Sequence, residues 1–274
     1  MLLAFDFGIS NTDIAIFQDN NLSFLSTRSI HQEGLNQDSV MSLLSMHGID
    51  LSEVICIGVT GGKSSDLPDL IDSTPIIKVN EVDAIGLGAK ILYKIEEEPT
   101  LVVSAGTGTA CVLIQGNTFS HLGGIAVGGG MLEGLGALLF KNSHGQEINE
   151  FASQGSRDKL DLLIGDVVNK IGALSPDITA VNFGKAKYAS ADTMENTSAA
   201  LCNMIGEVIG TIAYLNALLI GSSKVCFIGR TTCLSEVVKG VDQRLELAGI
   251  TGHYNAQQAY GNVIGVIEQL KNYG

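Results

Sequence analysis

Positive charge is scarce in this sequence. Only 16 of the 274 residues are lysine or arginine, whereas 29 are aspartate or glutamate, and the formal net charge is −13. Because proteins bind nucleic acid chiefly by neutralising its phosphates with basic side chains, we expect no nucleic-acid partner. An anionic substrate would have to be bound by local backbone donors or helix ends rather than by the field of the whole protein.

Cysteine is also sparse, and its spacing does not suit a metal site. The sequence has five cysteines, an odd number, and no CxxC pair. A disulfide framework or a zinc site would need clustered or paired cysteines, so neither is expected. Most of the five lie in apolar segments, which indicates buried thiols in a reducing cytoplasm. The five are Cys56, Cys111, Cys202, Cys226 and Cys233.

Neither a leader peptide nor a membrane span is indicated. The first eight residues, MLLAFDFG, have no basic stretch and reach an aspartate at once, so they predict a first strand. The longest apolar stretch, residues 199–221, contains Asn203, Glu207 and Asn216 and predicts a buried helix rather than a transmembrane one. We therefore expect a cytoplasmic protein without a membrane partner.

The residues that are abundant predict a folded protein. Hydrophobic residues make up 45% of the chain, charged residues only 16%, and there are 33 glycines. A disordered chain would show the opposite balance. The length suffices for one large domain or two lobes with a substantial core. No proline- or serine-rich linker divides the chain, so two lobes would be tightly joined.

Strand and helix patterns alternate along the chain in an order that occurs twice. Residues 2–7 and 12–18 flank a polar turn and predict a β-hairpin, which residues 21–30 extend by a third strand. The pattern of strand, glycine turn and strand recurs at 100–114. The other predicted strands are 54–62, 75–79, 224–230 and 249–255; the predicted helices are 35–47, 81–95, two or three within 146–170, 194–221, 233–248 and 259–270, and a glycine-rich loop leads into a helix at 123–140.

This order predicts an α/β protein with two lobes and a cleft between them, because the helices must cover the faces of two sheets. We place the boundary near Pro99, which follows an acidic run. The N-terminal lobe is then 1–98 and the C-terminal lobe is 99–274.

Four turns rich in glycine, serine and threonine accompany these elements. They read DFGISN at 6–11, SAGTGT at 104–109, AVGGGM at 126–131 and FIGRTT at 227–232. Glycines let backbone N–H groups approach phosphate oxygens, hydroxyls add donors, and a helix N-terminus adds a positive dipole. Each turn alone is a weak signal, because such turns are often only tight hairpins. The ordered set predicts a site for a nucleoside triphosphate.

Asp6 opens the first of these turns, which has no lysine and therefore differs from a GxxxxGK[ST] phosphate loop. A carboxylate would repel phosphates if it faced them directly. With a hydrated Mg²⁺ between them the arrangement becomes favourable, since Mg²⁺ keeps its waters and takes few carboxylates. The turn therefore predicts a site for metal and phosphate together.

The ordered motifs resemble those of type II pantothenate kinases, in the acetate-and-sugar-kinase/Hsp70/actin superfamily. GGGMLEGLG at 128–136 and DITAVNFG at 177–184 are the specific parts, and GTGT is shared across the superfamily. The resemblance covers nearly the whole chain and implies a two-lobed actin-like ATPase fold, of ribonuclease-H-like type, with a nucleotide cleft between the lobes. The other matching segments are DFG, VTGG at 59–62, NEVDAIGLGA at 80–89, GSRDKLDL at 155–162 and FIGR at 227–230.

The resemblance also implies an activity. Family members transfer phosphate from ATP, with Mg²⁺, to the primary hydroxyl of pantothenate, which gives 4'-phosphopantothenate in the first step of coenzyme A synthesis. A glutamate that opens a helix serves them as the base, and Glu81 occupies that position here. A carboxylate at a helix N-terminus beside the cleft is suited to accept a hydroxyl proton. The alternative is that Glu81 only complements its helix dipole.

The remaining site residues are likewise implied by the resemblance. The long helix at 194–221, with small residues at positions 199, 200, 206, 210 and 213, would form a homodimer interface or simply be a core helix. The implied acceptor-binding residues are His121, Ala180 and Asn182. The implied nucleotide-binding residues are Asp6 (also the metal ligand), Gly8, Ser10, Asn11, Gly106, Thr107, Gly108, Gly128, Gly129, Gly130, Met131, Leu132, Glu133, Gly229 and Arg230, the last near the adenosine.

Two positions depart from the family pattern. Where family members carry a lysine after the first turn, this sequence has Asp13, and the loss of such a charge-assisted contact is worth about 1.5–3 kcal/mol. Where they carry a substrate-binding arginine, it has His121, which cannot form a bidentate fork with a carboxylate. The alternatives are therefore a kinase for another small alcohol, or a nucleotide-binding module without transfer activity.

Overall fold

The computed structural model describes residues 1–29, 34–96, 98–169, 175–188 and 192–273. The first part of the chain forms a six-stranded sheet in the order β3-β2-β1-β4-β6-β5. Its strands are β1 (Leu2–Phe7), β2 (Asn11–Gln18), β3 (Asn21–Arg28), β4 (Cys56–Thr60), β5 (Leu70–Ile71) and β6 (Thr74–Lys78). Helix α1 (Gln37–Met46) follows β3, and helix α2 (Glu81–Tyr93) follows β6.

The second part forms a five-stranded sheet in the order β13-β12-β7-β8-β9. Its strands are β7 (Thr100–Ala105), β8 (Thr109–Gln115), β9 (Thr118–Ile125), β12 (Lys224–Ile228) and β13 (Thr251–His253), and a separate ribbon pairs β10 (Leu162–Leu163) with β11 (Thr179–Val181). The helices here are α3 (Gly129–Phe140), α4 (Gly145–Ala152), α5 (Ile164–Val167), α6 (Met194–Ile220), α7 (Ser235–Glu246) and α8 (Gly261–Leu270).

The two sheets share one topology. In each, the first three strands form an antiparallel meander. A later strand then pairs in parallel with the first strand, and a further strand pairs in parallel with that later one. This confirms the repeat and the two-lobed α/β architecture with helices on the sheets. Both meanders begin with a strand that ends in a glycine turn, so the two turns occupy equivalent places in the two sheets.

Two helices pack between these sheets. Residues of α8 share a core cluster with the first sheet, and residues of α2 share one with the second sheet. The two helices approach so closely that a Cβ added at Gly88 would clash with the carbonyl oxygen of Gly261, and one at Gly265 would clash with that of Ala84. The C-terminal helix therefore contacts the first sheet, and the boundary near Pro99 stays a prediction.

Helix α6 is long and apolar enough to cross a membrane, but half of its most apolar stretch is buried inside the protein. A Cβ added at Gly210 would lie 2.6 Å from the carbonyl oxygen of Val241, and one added at Gly206 would clash with that of Val237. The small residues at these two positions thus serve the contact between α6 and α7. Of the two alternatives predicted for this segment, a dimer interface or a core helix, the contact with α7 supports a core helix.

Two local predictions were wrong. Residues 123–125, predicted as part of a loop, belong to β9, which continues past a register shift opposite Cys111 and Val112. Residues 157–163, predicted as helical, form a single 3-10 turn and the short β10. In both places pairing with a partner strand overrides the local glycine or helical pattern. Ile30 and Lys170, the last residues of two predicted segments, lie outside the described residues.

Candidate active site

The two equivalent glycine turns face each other across the cleft between the sheets. Residues 8–10 join β1 to β2, and residues 106–108 join β7 to β8. The hydroxyls of Ser10 and Thr107 share a hydrogen bond of 2.9 Å, which links the tips of the turns. A Cβ added at Gly8 would lie 2.7 Å from the carbonyl oxygen of Asn11, so the first turn requires glycine.

The turns carry backbone donors without acceptors. Within the described part of the chain, no acceptor is found for the N–H groups of Gly8, Ile9 and Ser10 in the first turn, nor for those of Thr107 and Gly108 in the second. Backbone N–H groups that remain available in glycine-rich turns can form a site for anions. The tips of both turns are therefore suited to bind phosphate oxygens.

A cavity of about 420 Å³ lies between the turns. It brings together twelve of the residues that the sequence predicted for the nucleotide, drawn from both sheets. These are Asp6, Gly8, Ser10, Asn11, Gly106, Thr107, Gly129, Gly130, Leu132, Glu133, Gly229 and Arg230. Their individual roles stay predictions, but their convergence on one cavity follows from the fold.

Asp6 lies at the end of β1, on the face of the sheet that α8 covers. In register it is opposite Asp13 on β2 and Thr60 on β4, and neighbours in register share a face. Asn262 of α8 donates a hydrogen bond of 2.9 Å from its side-chain amide to Asp6 Oδ2. Gly61 (φ 74°) follows β4, and a Cβ at this position would clash with Asp6 Oδ1. This clash explains why the VTGG motif has a glycine here.

The environment of Asp6 disfavours its charged form. Its pKa is raised from 3.8 to about 7, chiefly by burial and to a smaller extent by the charges of Asp13 and Glu81, while the hydrogen bond from Asn262 lowers it. Arg230 also lowers the pKa, by a smaller amount. A carboxylate held among other carboxylates in this way is stabilised in its ionised form when a cation arrives.

Asp13 forms an ion pair with Arg230, which follows β12 in the other sheet. Arg230 Nη2 also donates to Ser26 Oγ at 2.7 Å, and the guanidinium lies 5.1 Å from the ring centre of Tyr260. Burial raises the pKa of Asp13, and Arg230 lowers it. The aspartate therefore does not point at the phosphate site as a bare charge.

The glycines at the start of α3 dock that helix on the second turn. Gly129 N–H donates to the carbonyl oxygen of Gly106 at 2.8 Å, and Gly130 N–H donates to that of Thr107 at 3.0 Å. A Cβ added at Gly128 would lie 2.7 Å from the Gly106 oxygen. We predicted that the N–H groups at the start of this helix bind phosphate, but two of them already donate to the second turn. The GGG motif is therefore required for close packing of α3 against that turn.

The other predicted residues lie outside the cavity lining. Glu81 is the first residue of α2, where the Asn80 side chain caps the helix by accepting from Val82 N–H at 2.8 Å. Glu81 is exposed, and it lies close enough to Asp6 for its charge to affect the pKa of that residue. Gly108, Gly128 and Met131 adjoin the lining residues in sequence.

The three residues predicted for the acceptor lie elsewhere. His121 is exposed on β9, Ala180 is exposed on β11, and Asn182 donates to Glu207 of α6 at 2.7 Å. None of them lines the cavity between the turns. Their assignment to the acceptor stays a prediction.

Sequence reasoning missed several residues of the site. Asn262 gave no signal, because it lies in the apolar pattern of the last helix and reaches Asp6 only after the chain has returned to the first sheet. Thr231 lies in the FIGRTT turn that the sequence singled out. Its hydroxyl donates to the Gly106 oxygen at 2.7 Å and accepts from Gly129 N–H at 2.9 Å.

Solved structures of the same fold include nucleotide-bound proteins. The activator of 2-hydroxyisocaproyl-CoA dehydratase from Clostridium difficile, with bound ADPNP, matches 99% of this chain and 97% of its own at a TM-score of 0.66 and 13% identity. A ROK family glucokinase from Streptomyces griseus, with glucose and AMPPNP, matches 98% of both chains at a TM-score of 0.62 and 11% identity. At these identities the likeness shows the fold, which is that of the actin-like ATPases.

Comparison of amino-acid sequences identifies the family, whereas the solved structures show only the fold. A type II pantothenate kinase from Oceanobacillus iheyensis is 30% identical over 234 residues, which are 84% of each chain. One from Bacillus cereus (strain G9842) is 30% identical over 239 residues, again 84% of each chain. The family model named Fumble matches residues 88–239, which include the second turn, the GGG motif and Arg230. The chain therefore belongs to the Fumble family, that of the type II pantothenate kinases.

Proposed function

We propose that this protein transfers the γ-phosphate of ATP to the primary hydroxyl of pantothenate, the first step of coenzyme A synthesis. The observation that carries the proposal is the pair of facing turns with unused backbone donors, in a chain of this family. The ATP analogues bound to two proteins of the same fold support the use of ATP. The relatives named pantothenate kinase support the acceptor.

The triphosphate would lie between the turns. The N–H groups of residues 8–10 and 107–108 are available to its oxygens, and the hydroxyls of Ser10 and Thr107 can exchange their mutual hydrogen bond for phosphate. Donors that are already in place need little rearrangement when the charge moves during transfer. The two sheets would thus hold the nucleotide from both sides.

The residues at the cavity suit Mg²⁺ bound together with a nucleotide. No group of three or more His, Cys, Asp or Glu side chains suited to a metal occurs in the described ranges, so a site made of protein ligands alone is not found there. Mg²⁺ in kinases takes one or two carboxylates plus phosphate oxygens and waters, and Asp6 meets that need. When bound, Mg²⁺ would neutralise charge on the β- and γ-phosphates.

Glu81 is the base in this proposal. It would accept the proton of the pantothenate hydroxyl while the hydroxyl oxygen forms its bond to the γ-phosphorus. The bond from that phosphorus to the bridging oxygen breaks, and ADP leaves with the electron pair. The exposed position of Glu81 at the N-terminus of α2 and its electrostatic coupling to Asp6 support this role, since the base must lie beside both nucleotide and acceptor.

The protein would act as a cytoplasmic homodimer. The five cysteines are free thiols and four are buried, in keeping with a reducing compartment. Helices α3 and α6 contact each other and expose five leucines between them, and a group of exposed apolar side chains supports the proposal of an interface there. These are Leu138, Leu139, Leu215, Leu218 and Leu219; we call them the leucine patch.

The decisive experiment measures ADP release by the purified protein with Mg-ATP and pantothenate, together with the mass of the phosphorylated product. We expect turnover that requires both substrates. A panel of other small alcohols, sugars included, serves as the specificity control. ADP release with one of those alcohols and none with pantothenate would contradict the acceptor. Binding of ATP without turnover of any alcohol would contradict the kinase activity.

A further inference from the structure

Arg230 brings a positive charge to the lining of the cavity. Among the described residues that line it, Arg230 is the sole lysine or arginine, whereas three carboxylates, Asp6, Asp13 and Glu133, line it as well. The protein as a whole is strongly acidic, with a formal net charge of −13. Among the described lining residues, this guanidinium is thus the charged side chain that would attract a triphosphate, together with the backbone donors.

The guanidinium is held in place and still has unused donors. Its Nη2 group donates to both Asp13 and Ser26, and one of its faces lies over Tyr260. Its Nη1 and Nε groups have no acceptor in the described ranges. Arginine presents five N–H donors in a rigid fork that matches phosphate geometry, so holding one edge leaves another free for an anion.

The contact spans the cleft. Arg230 follows Gly229 (φ 94°) at the end of β12, while Asp13 and Ser26 lie next to each other in register on β2 and β3. The ion pair thus holds the guanidinium of Arg230, which comes from the second sheet, against the first sheet beside Asp6. Without that cation, Asp6 and Asp13 would be two directly opposed carboxylates, which repel each other.

We propose that Arg230 binds the phosphates of the nucleotide and that Asp13 is a positioning residue that holds its guanidinium over the first turn. The inference rests on the proposed function only in that the ligand is a nucleoside triphosphate. It assigns Arg230 to the phosphate end of the cleft rather than to the adenosine.

The test compares ligands that share the base and differ in phosphates. Calorimetry would give the affinity of Arg230→Gln and of the unchanged protein for Mg-ATP and for adenosine. Loss of a charge-assisted contact should weaken Mg-ATP binding by about 10- to 100-fold and leave adenosine binding within about twofold. Arg28→Gln is the matched control, because it removes the same charge from an exposed side chain on β3 outside the cavity.

The role of Asp13 is tested separately, by the Mg-ATP affinity of Asp13 variants. Asp13→Asn should weaken Mg-ATP binding by about 3- to 10-fold, since the guanidinium keeps its charge and loses its anchor, and Asp13→Glu should restore part of the affinity. In the Arg230→Gln background, Asp13→Asn should cause no further loss. A purely structural role for Asp13 would weaken binding equally in both backgrounds.

Three results would overturn the inference. Equal losses for Mg-ATP and adenosine in Arg230→Gln would place Arg230 at the base or in a structural role. Unchanged Mg-ATP affinity in that variant would remove Arg230 from phosphate binding. Additive losses from the two variants would show that Asp13 acts independently of Arg230. None of these depends on the acceptor, so failure of pantothenate phosphorylation is a separate result.

Discussion

The hydroxyls of Ser10 and Thr107, 97 positions apart in sequence, are 2.9 Å from each other. Each lies at the tip of a turn that ends the first strand of a sheet, and the two sheets have the same topology. The contact therefore joins equivalent positions of the two sheets. A triphosphate that enters between the turns must replace this hydrogen bond with bonds of its own.

Removal of one hydroxyl should weaken nucleotide use. For Thr107→Ala we expect kcat/KM for Mg-ATP to fall by about 10- to 150-fold, the equivalent of about 1.5–3 kcal/mol for a hydrogen bond to a charged group. Steady-state kinetics with ATP as the varied substrate measures this. Thr118→Ala on β9 is the control, since its hydroxyl is exposed outside the cavity. An unchanged kcat/KM in Thr107→Ala would remove the second turn from phosphate binding.

Nucleotide binding should depend on pH through Asp6. The pKa of this carboxyl in the folded protein is about 7, raised by burial and by the charges of Asp13 and Glu81. Mg²⁺ needs the ionised form, so the affinity for Mg-ATP should rise as the pH increases from 6 to 8 and then level off. Calorimetry across this range measures it, and Asp6→Asn should bind weakly at every pH.

The unliganded protein should show the opposite trend. A carboxyl whose folded pKa lies above its unfolded value contributes stability at low pH, and the contribution is lost as the pH rises through about 7. Asp6→Asn should therefore gain stability over the unchanged protein at pH 8 and keep only a smaller part of that advantage at pH 5, which is closer to the unfolded pKa of 3.8. An equal effect of D6N at both pH values would contradict the raised pKa.

Glu81 should matter for transfer and not for nucleotide binding. For Glu81→Gln we expect kcat to fall by about 10²- to 10⁴-fold, the usual contribution of a general base. The Kd for Mg-ATP should change little, because Glu81 lies outside the cavity lining. Asp83→Asn is the control, since Asp83 is exposed in the same first turn of α2. A similar loss of kcat in both variants would favour the helix-dipole alternative.

Two glycines should respond to alanine in opposite ways. Gly206→Ala puts a Cβ into the carbonyl oxygen of Val237, so α6 and α7 must separate, at a loss of about 1–3 kcal/mol in the free energy of unfolding. Gly134 lies exposed in α3 with open space around its Cβ position. Gly134→Ala should gain about 0.5–1 kcal/mol from helix propensity. Denaturant unfolding measures both, and a neutral Gly206→Ala would contradict the packing described.

The leucine patch should control association. Leu218→Lys combined with Leu219→Lys places two charges on side chains that are 57% and 77% exposed. If the patch is the dimer interface, light scattering after gel filtration should show dimers for the unchanged protein and monomers for the variant. Ile91→Lys, at an exposed apolar residue on α2, is the control and should stay dimeric. A dimeric double variant would place the interface elsewhere.

The departures from the family pattern have different outcomes in the structure. Asp13, where family members carry lysine, is paired with Arg230 from the other sheet, so the lost cation has a counterpart that no local reading of the first turn reveals. His121 is exposed and lies outside the cavity lining. One departure thus has a structural explanation, and nothing in the structure explains the other.

Local patterns in the chain were sufficient to predict the first meander, the hairpin of β7 and β8, the glycine turns and the long helix, because strand alternation, turn chemistry and helical periodicity act over a few residues. They did not predict β9, which completes the second meander by pairing with β8. The glycine turns also predicted most of the residues that line the cavity between the sheets, since only a few residue types form turns of this kind. The tertiary structure alone decided the partners: Asn262 on Asp6, Arg230 on Asp13 and Ser10 on Thr107. These pairs join residues at least 97 positions apart, and their meeting depends on how two sheets and the returning α8 pack, which no short segment encodes.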